Sequence, residues 1–444
     1  MSGNCGDSLF PLSDVDLQEE DANTFERYGF HINWRNIDGF LRTLEDQKIA
    51  INYATFTGHG RLRSYIVGKN DVQATAEQLK DMKEILKRSM ENGSFGLSSG
   101  LEYAPGSYAS TAELVELSKV VREYGGVHAT HIRSEEDRVE EAIQEALTIC
   151  REAEVSLQIS HLKACNQSNW NKIDHVLEMI HTAAEAGMPV KADRYPYVAW
   201  STGLTMVLPL WSRQGATEEM LSRLQDRTLL PKIKEHVDKQ GQGIGGWDRM
   251  VISSCFSEKN KKWEGKSIYA CAVELDVTPF EFIRNILIEE RSRVEIVGFG
   301  MDEDNLRKVL SSSLVVIGSD GNAVAPYGKL GAGKPHPRFY GTFPRVLGKY
   351  SREEAIFDLS TAIMKMTSMP ATKLGIPKRG LIAKDYYADI VVFNPETVID
   401  NATFEDPHQF PTGIEHVIVN GKIAVKDGKH TGAQAGAVLR HHLS

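Results

Sequence analysis

The chain lacks any apolar run approaching the roughly 20 residues that a membrane-spanning helix requires. It also lacks an excess of positive charge. Lys and Arg number 51 against 60 Asp and Glu, a formal charge of −9, which argues against nucleic acid or an anionic membrane as partner, since both call for a basic surface. The opening residues MSGNCGDSLF contain neither a basic n-region nor an apolar h-region, so no signal peptide is expected and the default location is cytoplasmic. The 5 cysteines (Cys5, Cys150, Cys165, Cys255, Cys271) are odd in number and never in CxxC spacing. They do not form a disulfide framework, although a metal-binding or reactive thiol stays open. No GxGxxG opens a helix after a strand, so a dinucleotide-binding sheet has no support. What remains is a globular chain of 444 residues, 41% hydrophobic and 25% charged, long enough for a large core.

The dominant pattern is a short apolar run, a polar loop and a longer amphipathic segment, repeated. Residues 49–55, 93–98, 126–130, 155–160, 189–192 and 314–318 read as strands, and 112–123, 135–152 and 171–186 as helices. Alternation of this kind predicts a parallel sheet, either doubly wound or a (β/α)8 barrel. The residues that follow the runs favour the barrel: His59 in TGHG, His131 in THIRSE, His161 in ISHLK and Asp320 in GSDG. Polar groups at the C-terminal ends of parallel strands converge on one face of a barrel, where its active site lies. Residues 1–385 are therefore expected to form the barrel, with an insert around 201–310 holding helices near 217–239 and 279–290. From residue 386 to 444 the texture becomes short β runs split by an Asn-Gly turn at Asn420 and Gly421, a small β element.

His131 and His161 end successive predicted strands, so one ion could take both imidazoles; two half-buried structural histidines are the plain alternative. Asp320 could serve as general acid and base beside such an ion, or simply complete a Ser-Asp-Gly turn. Cys5 in GNCG could add a thiolate or be incidental. Arg338 in HPRFYGTFPR, Lys163, and the tyrosines Tyr103 of GLEYAPGSY and Tyr195 of DRYPY could hold a carboxylate, provided they share one face.

Taken together, GNCG, GLSSGLEYAPGSYA, THIRSE, ISHLKA, YPYVAWSTGL, GSDG, HPRFYGTFPRVLGKY, KMTSMPATKLGI and ADIVVFNPETVIDNATF run through the whole chain in order. The sequence resembles the N-acyl-D-amino-acid deacylases (D-aminoacylases) of the metal-dependent amidohydrolase superfamily. That resemblance implies a (β/α)8 TIM-like barrel with a small β-sandwich, and zinc-dependent hydrolysis of N-acyl-D-amino acids to a carboxylate and a free D-amino acid. It implies Cys5, His131 and His161 as ligands of a tightly held zinc ion and Asp320 as general acid and base. Lys163, Tyr103, Tyr195 and Arg338 would face the substrate, Ser201 would help shape its side-chain pocket, and His59 would support the oxyanion or order the pocket.

One departure from the family pattern is large. Members carry a barrel strand ending in His-x-His upstream of GNCG, and no His-x-His follows an apolar run in this chain. The expectation is a barrel that lacks its first strand, as in a truncated chain, with one tightly bound zinc and a doubtful second site. Two other readings follow: a cyclic-amide amidohydrolase of hydantoinase or dihydroorotase type, disfavoured by a cysteine where those enzymes carry a carboxylated lysine, and a non-catalytic remnant. The substrate side chain and the oligomeric state are not legible.

Overall fold

A computed structural model describes residues 1–441. Its central sheet is parallel throughout and takes its strands in chain order: β1 (Thr57–Gly58), β2 (Gly96–Gly100), β3 (Val127–His131), β4 (Ser156–Ile159), β5 (Val190–Arg194) and, after a long excursion, β9 (Val315–Ile317). Ser2 bridges Thr55 in parallel ahead of β1. Helices fill the crossovers and cover the outside, so the architecture is TIM-barrel-like. Among the described residues the ladder does not close between Ser2 and β9.

The helices form where the pattern places them because their apolar stripes meet the strands and their ends are capped. Ser110 accepts a hydrogen bond from the Glu113 amide at the start of Thr111–Glu123, whose Leu114, Leu117 and Val121 are fully buried. Thr75 and Gln78 form a reciprocal capping box on Ala76–Glu91, and Thr278 and Glu281 do the same on Pro279–Glu289. The helix Val139–Ala153 buries Val139, Ile143 and Leu147 in the same cluster as Leu157, Ile159 and Ala192 of β4 and β5.

The excursion between β5 and β9 holds a three-stranded antiparallel sheet of β6 (Trp200–Gly203), β7 (Met250–Cys255) and β8 (Val294–Gly298), in the order β6-β8-β7. It has its own core, with Leu204, Val237, Ile252, Ile283 and Leu287 fully buried. These strands are absent from the sequence reading. The helix expected near 217–239 is two, Thr217–Gln225 and Leu230–Ile244, divided where Pro231 opens the second. The run at 49–55 is mostly irregular, with single bridges at Tyr53 and Thr55, and the regular strand starts later, at Thr57.

Four antiparallel strands make the tail sheet: β10 (Ile390–Phe393), β11 (Ile414–Val419), β12 (Lys422–Lys426) and β13 (Lys429–His430). Asn420 and Gly421 join β11 to β12 with φ of 47° and 78°, the left-handed pair that a tight hairpin needs. The last three residues of the expected tail, 442–444, lie outside the described part.

Candidate active site

The C-terminal ends of the parallel strands open into a cavity of about 410 Å³. Its walls include His131, His161, Lys163, Tyr103, Tyr195, Ser201, Asp320 and Arg338. Eight of the residues singled out in the sequence thus meet in one place, and Cys5 reaches the same imidazoles from the side.

Cys5 arrives on the GNCG loop, which is seated by glycine against glycine. A Cβ on Gly100, the last residue of β2, would lie 2.0 Å from the Cys5 carbonyl oxygen, and one on Gly6 would lie 2.6 Å from the Gly100 amide nitrogen. No larger residue permits that approach. The loop is held further by a hydrogen bond from the Gly6 amide to Ser98 Oγ at 3.1 Å. Cys5 Sγ then lies 3.4 Å from His161 Nε2, and His131 Nδ1 lies 3.0 Å from the same nitrogen. The three donor atoms all fall within 4.8 Å of one another.

His161 follows β4 in a left-handed conformation, φ 37°, which costs energy for a residue with a Cβ. Asp193 of β5 holds it there: its Oδ1 accepts the His161 amide at 2.8 Å and its Oδ2 accepts Gln158 Nε2 at 2.8 Å. Glu135 Oε1 lies 2.9 Å from His161 Nδ1 and also pairs with Lys163, a buried cation. Burial would push the Glu135 carboxyl up, but the charges of Lys163, His131 and His161 hold it well below the usual range. Burial likewise opposes charge on His131, and Glu135 together with hydrogen bonds to Cys5 and Glu102 reverses this, lifting the imidazole to about 9. Burial also raises the Cys5 thiol; the His161 charge and hydrogen bonds from both imidazoles outweigh it and favour the thiolate. A stabilised thiolate, two convergent imidazoles and adjacent carboxylates are the donor chemistry of a divalent transition-metal site.

The expectation of a single ion with a doubtful second site is corrected here. Glu102, His131 and Glu135 form a second cluster with ligand atoms within 4.8 Å of one another, sharing His131 with the first. His131 turns Nδ1 towards His161 and Nε2 towards Glu102 Oε2, 3.3 Å away. The sequence reading made the second site depend on a His-x-His, whereas these carboxylates come from the loops after β2 and β3. Both were inside quoted motifs, GLEYAPGSY and THIRSE, and their position just past strand ends was the available signal.

In the same cavity, Asp320 follows β9 with φ 46°, and Arg338 Nη1 lies 2.9 Å from its Oδ2. Burial raises the Asp320 carboxyl, but Arg338, His161 and Lys163 together hold it below its ordinary value, so it is a carboxylate at neutral pH. The guanidinium groups of Arg194 and Arg338 both lie over the Tyr195 ring, 4.3 and 4.6 Å from its centroid. Tyr195 Oη and Arg338 Nε are buried without a hydrogen-bond partner among the described residues. His336, unremarked in the sequence reading, anchors this wall. It donates from Nε2 to the Ala199 carbonyl at 2.8 Å and accepts the Arg338 amide on Nδ1 at 3.0 Å. Burial and the Arg338 charge hold its pKa well below the usual value, so it is neutral.

Tyr103 stacks tilted on His131, ring centroids 4.8 Å apart, and its hydroxyl is 3.4 Å from Thr202 Oγ1 beside Ser201. His59 is not brought to the cavity. It is fully buried, and its Nε2 pairs at 2.8 Å with Glu113 Oε1, while Glu113 also pairs with the buried Arg63. Its imidazole is engaged by Glu113 and does not line the cavity.

An amidohydrolase family profile matches residues 280–425. The D-aminoacylase of Alcaligenes xylosoxydans xylosoxydans is 33% identical over 446 residues, spanning 99% of this chain and 80% of the relative. A solved D-aminoacylase, described for its binuclear metal center with one-metal activation and second-metal attenuation, superposes with a TM-score of 0.80 at 33% identity, covering 99% of this chain and 82% of that one. The N-acyl-D-glutamate deacylase of Bordetella bronchiseptica, solved with zinc and a phosphonate mimic of the tetrahedral intermediate, gives 0.78 at 29% identity over 99% and 81%. The chain belongs to the D-aminoacylase, or N-acyl-D-amino-acid deacylase, family of the amidohydrolase superfamily.

Proposed function

We propose that this carbon–nitrogen hydrolase cleaves the amide bond of N-acyl-D-amino acids with zinc as its metal, releasing a carboxylate and a free D-amino acid. The observation that carries the reading is the meeting, at one cavity, of His131 and His161, which Cys5 joins in one cluster, with the Asp320 and Arg338 ion pair. Zinc, when bound, supplies the Lewis acidity that polarises an amide carbonyl and makes water nucleophilic at neutral pH.

The chain's own residues do the rest. Asp320 is a carboxylate at the start, so it accepts the proton that water gives up and returns it to the departing amide nitrogen, which leaves as an amine. Arg338 Nε and Tyr195 Oη, buried and unsatisfied, take the substrate's α-carboxylate, and Lys163 adds charge to the same wall. Fixing the α-carboxylate while the amide faces Asp320 leaves the side chain one direction to go, past Ser201 and Tyr103, and this three-point fit is the basis for choosing one enantiomer. The deacylase relatives support the D choice. Residues 1–385 act as the hydrolase barrel with its insert around 201–310, and 386–444 as the appended β element.

The test is turnover of N-acetyl-D-amino acids against their L counterparts by the purified, zinc-reconstituted chain. Release of free D-amino acid alone supports the reading. Preference for the L series, or hydrolysis of hydantoins instead, overturns it.

A further inference from the structure

Three cations lie over the Tyr195 ring, and one of them has no counter-charge. The charged groups of Arg194, Arg338 and Lys163 stand 4.3, 4.6 and 5.9 Å from its centroid. Lys163 is paired with Glu135 and Arg338 with Asp320, so each of these two has its own carboxylate. Arg194 is 2% exposed, and among the described residues no carboxylate comes within ion-pair distance of it. Its Nη2 donates to the Tyr197 carbonyl at 2.9 Å and lies 3.0 Å from the Met301 sulfur, while its Nη1 is buried without a partner. A carbonyl, a thioether and an aromatic face are a poor exchange for the water around a guanidinium.

Arg194 does not line the substrate cavity. It borders a separate void of about 10 Å³ beside the helices Ile173–Glu185 and Glu303–Ser311, and Lys163 is the residue common to both spaces. Asp302 also borders that void, but its Oδ1 is taken by the Asn305 amide at 2.9 Å and it forms no ion pair with Arg194. Room for one water offers Nη1 a hydrogen bond and no charge. The charge is felt in the cavity nonetheless. Burial disfavours the Lys163 ammonium and Glu135 restores it, while Arg194 works against it; at His336, Arg194 adds to the burial and the Arg338 charge that keep the imidazole neutral.

We infer that Arg194 is a positioning residue for the substrate's α-carboxylate, acting through the Tyr195 ring, and that the bound substrate supplies the counter-charge that the protein itself does not. This rests on the deacylase reading and adds a residue to the recognition it describes. The corner around the ring holds three cations and two paired carboxylates, an excess of one positive charge, which matches the single carboxylate of an N-acyl amino acid. Two opposed consequences follow. The uncompensated guanidinium lowers the stability of the ligand-free protein, and the same charge draws in a carboxylate and fixes it against Tyr195 Oη and Arg338 Nε. A side chain kept for packing alone has only the opposite effect, since removing it costs stability.

The test compares the zinc-reconstituted wild-type chain with Arg194→Met and Arg194→Lys. Urea unfolding is followed without substrate, and kcat and KM are determined for N-acetyl-D-leucine. N-acetyl-D-leucinamide, which has no carboxylate, is measured beside it as substrate or as competitive inhibitor. Arg194→Met is expected to unfold at a higher urea concentration than wild type, while its KM for N-acetyl-D-leucine rises about tenfold with kcat within about twofold. The amide should bind both proteins equally, and Arg194→Lys should recover most of the lost KM. An equal or lower unfolding midpoint for Arg194→Met, an unchanged KM, a fall in kcat at constant KM, or as large a loss on the amide overturns the inference and leaves the deacylase reading standing. A wild type that turns over neither compound overturns the deacylase reading alone. The inference is then decided by calorimetric binding of the two compounds: a preference for the carboxylate that Arg194→Met abolishes supports it, and no preference, or one that Arg194→Met retains, overturns it.

Discussion

Asp320 and Arg338 are joined by an ion pair, Oδ2 to Nη1 at 2.9 Å, so the proposed proton carrier and the proposed carboxylate clamp are electrostatically one unit. Neither can be altered without moving the other. The Arg338 charge is the largest attraction holding the Asp320 carboxyl below its ordinary range, against the burial that would raise it.

Arg338→Met is therefore expected to do two things at once. Loss of the guanidinium that meets the α-carboxylate weakens substrate binding, with kcat/KM down by about two to three orders of magnitude. Loss of the positive charge raises the Asp320 pKa, so the acidic limb of the kcat/KM profile moves to higher pH. Arg338→Lys keeps a charge without the fork, and is expected to hold the limb near its original place while still binding poorly. A pH-rate profile of the two variants checks this, and an acidic limb that stays fixed in Arg338→Met would remove Asp320 from the proton-transfer role.

The two metal clusters share His131, and a neutral imidazole has one free lone pair to give. Two equivalents of zinc are thus expected to bind unequally, the second at least about tenfold more weakly than the first. Glu102→Ala removes a carboxylate from the second cluster alone and should leave one equivalent per chain, whereas Cys5→Ala should cost the tighter one. Metal content after dialysis against graded chelator measures both, and two equivalents retained by Glu102→Ala would count against the second cluster.

His59 gives a structural prediction. With Glu113 and Arg63 it forms a buried polar group behind β1, away from the cavity. Glu113→Gln leaves Arg63 buried without its counter-charge, at a cost of about 3–5 kcal/mol. Chemical denaturation should show that loss, while KM of the protein that remains folded should hardly change. A large KM effect with unaltered stability would return His59 to the substrate.

These residues show what a linear reading can reach. His131, His161 and Asp320 stood out because each ends or follows a strand, and the order of parallel strands brings them to one cavity, whereas Cys5 entered the ligand set only through the family resemblance. His59 also follows a strand, and the rule failed there because β1 is only two residues long and the helix starting at His59 turns its imidazole towards Glu113. Glu102 and Glu135 were passed over because a carboxylate in a loop is ordinary, and only folding reveals that two loops bring them to one imidazole. The insert's sheet was hidden for a similar reason. Antiparallel partners β6, β7 and β8 are separated by tens of residues, and short buried runs within helical surroundings do not announce their pairing.

Lys373 supplies a pH dependence of stability that is independent of the active site. Its ammonium is half-buried, donating to Ser156 Oγ at 2.8 Å and the Pro189 carbonyl at 2.7 Å, and burial lowers its pKa to about 7, opposed by Cys150 and helped by Lys191. In the unfolded chain the same lysine titrates near its ordinary value of 10.5. Between those two values the unfolded state binds more protons than the folded one, so this group makes stability rise with pH from about 7 towards 10. Below pH 7 the group's full penalty is present. Lys373→Met removes the titration and should flatten that rise by roughly 1–3 kcal/mol relative to wild type, because partial access to solvent reduces the ideal linkage value. Urea unfolding of both proteins at pH 7, 8.5 and 10 provides the comparison. Parallel curves for the two would mean that Lys373 is charged and well solvated in the folded chain, and that the hydrogen bonds to Ser156 and Pro189 compensate its burial in full.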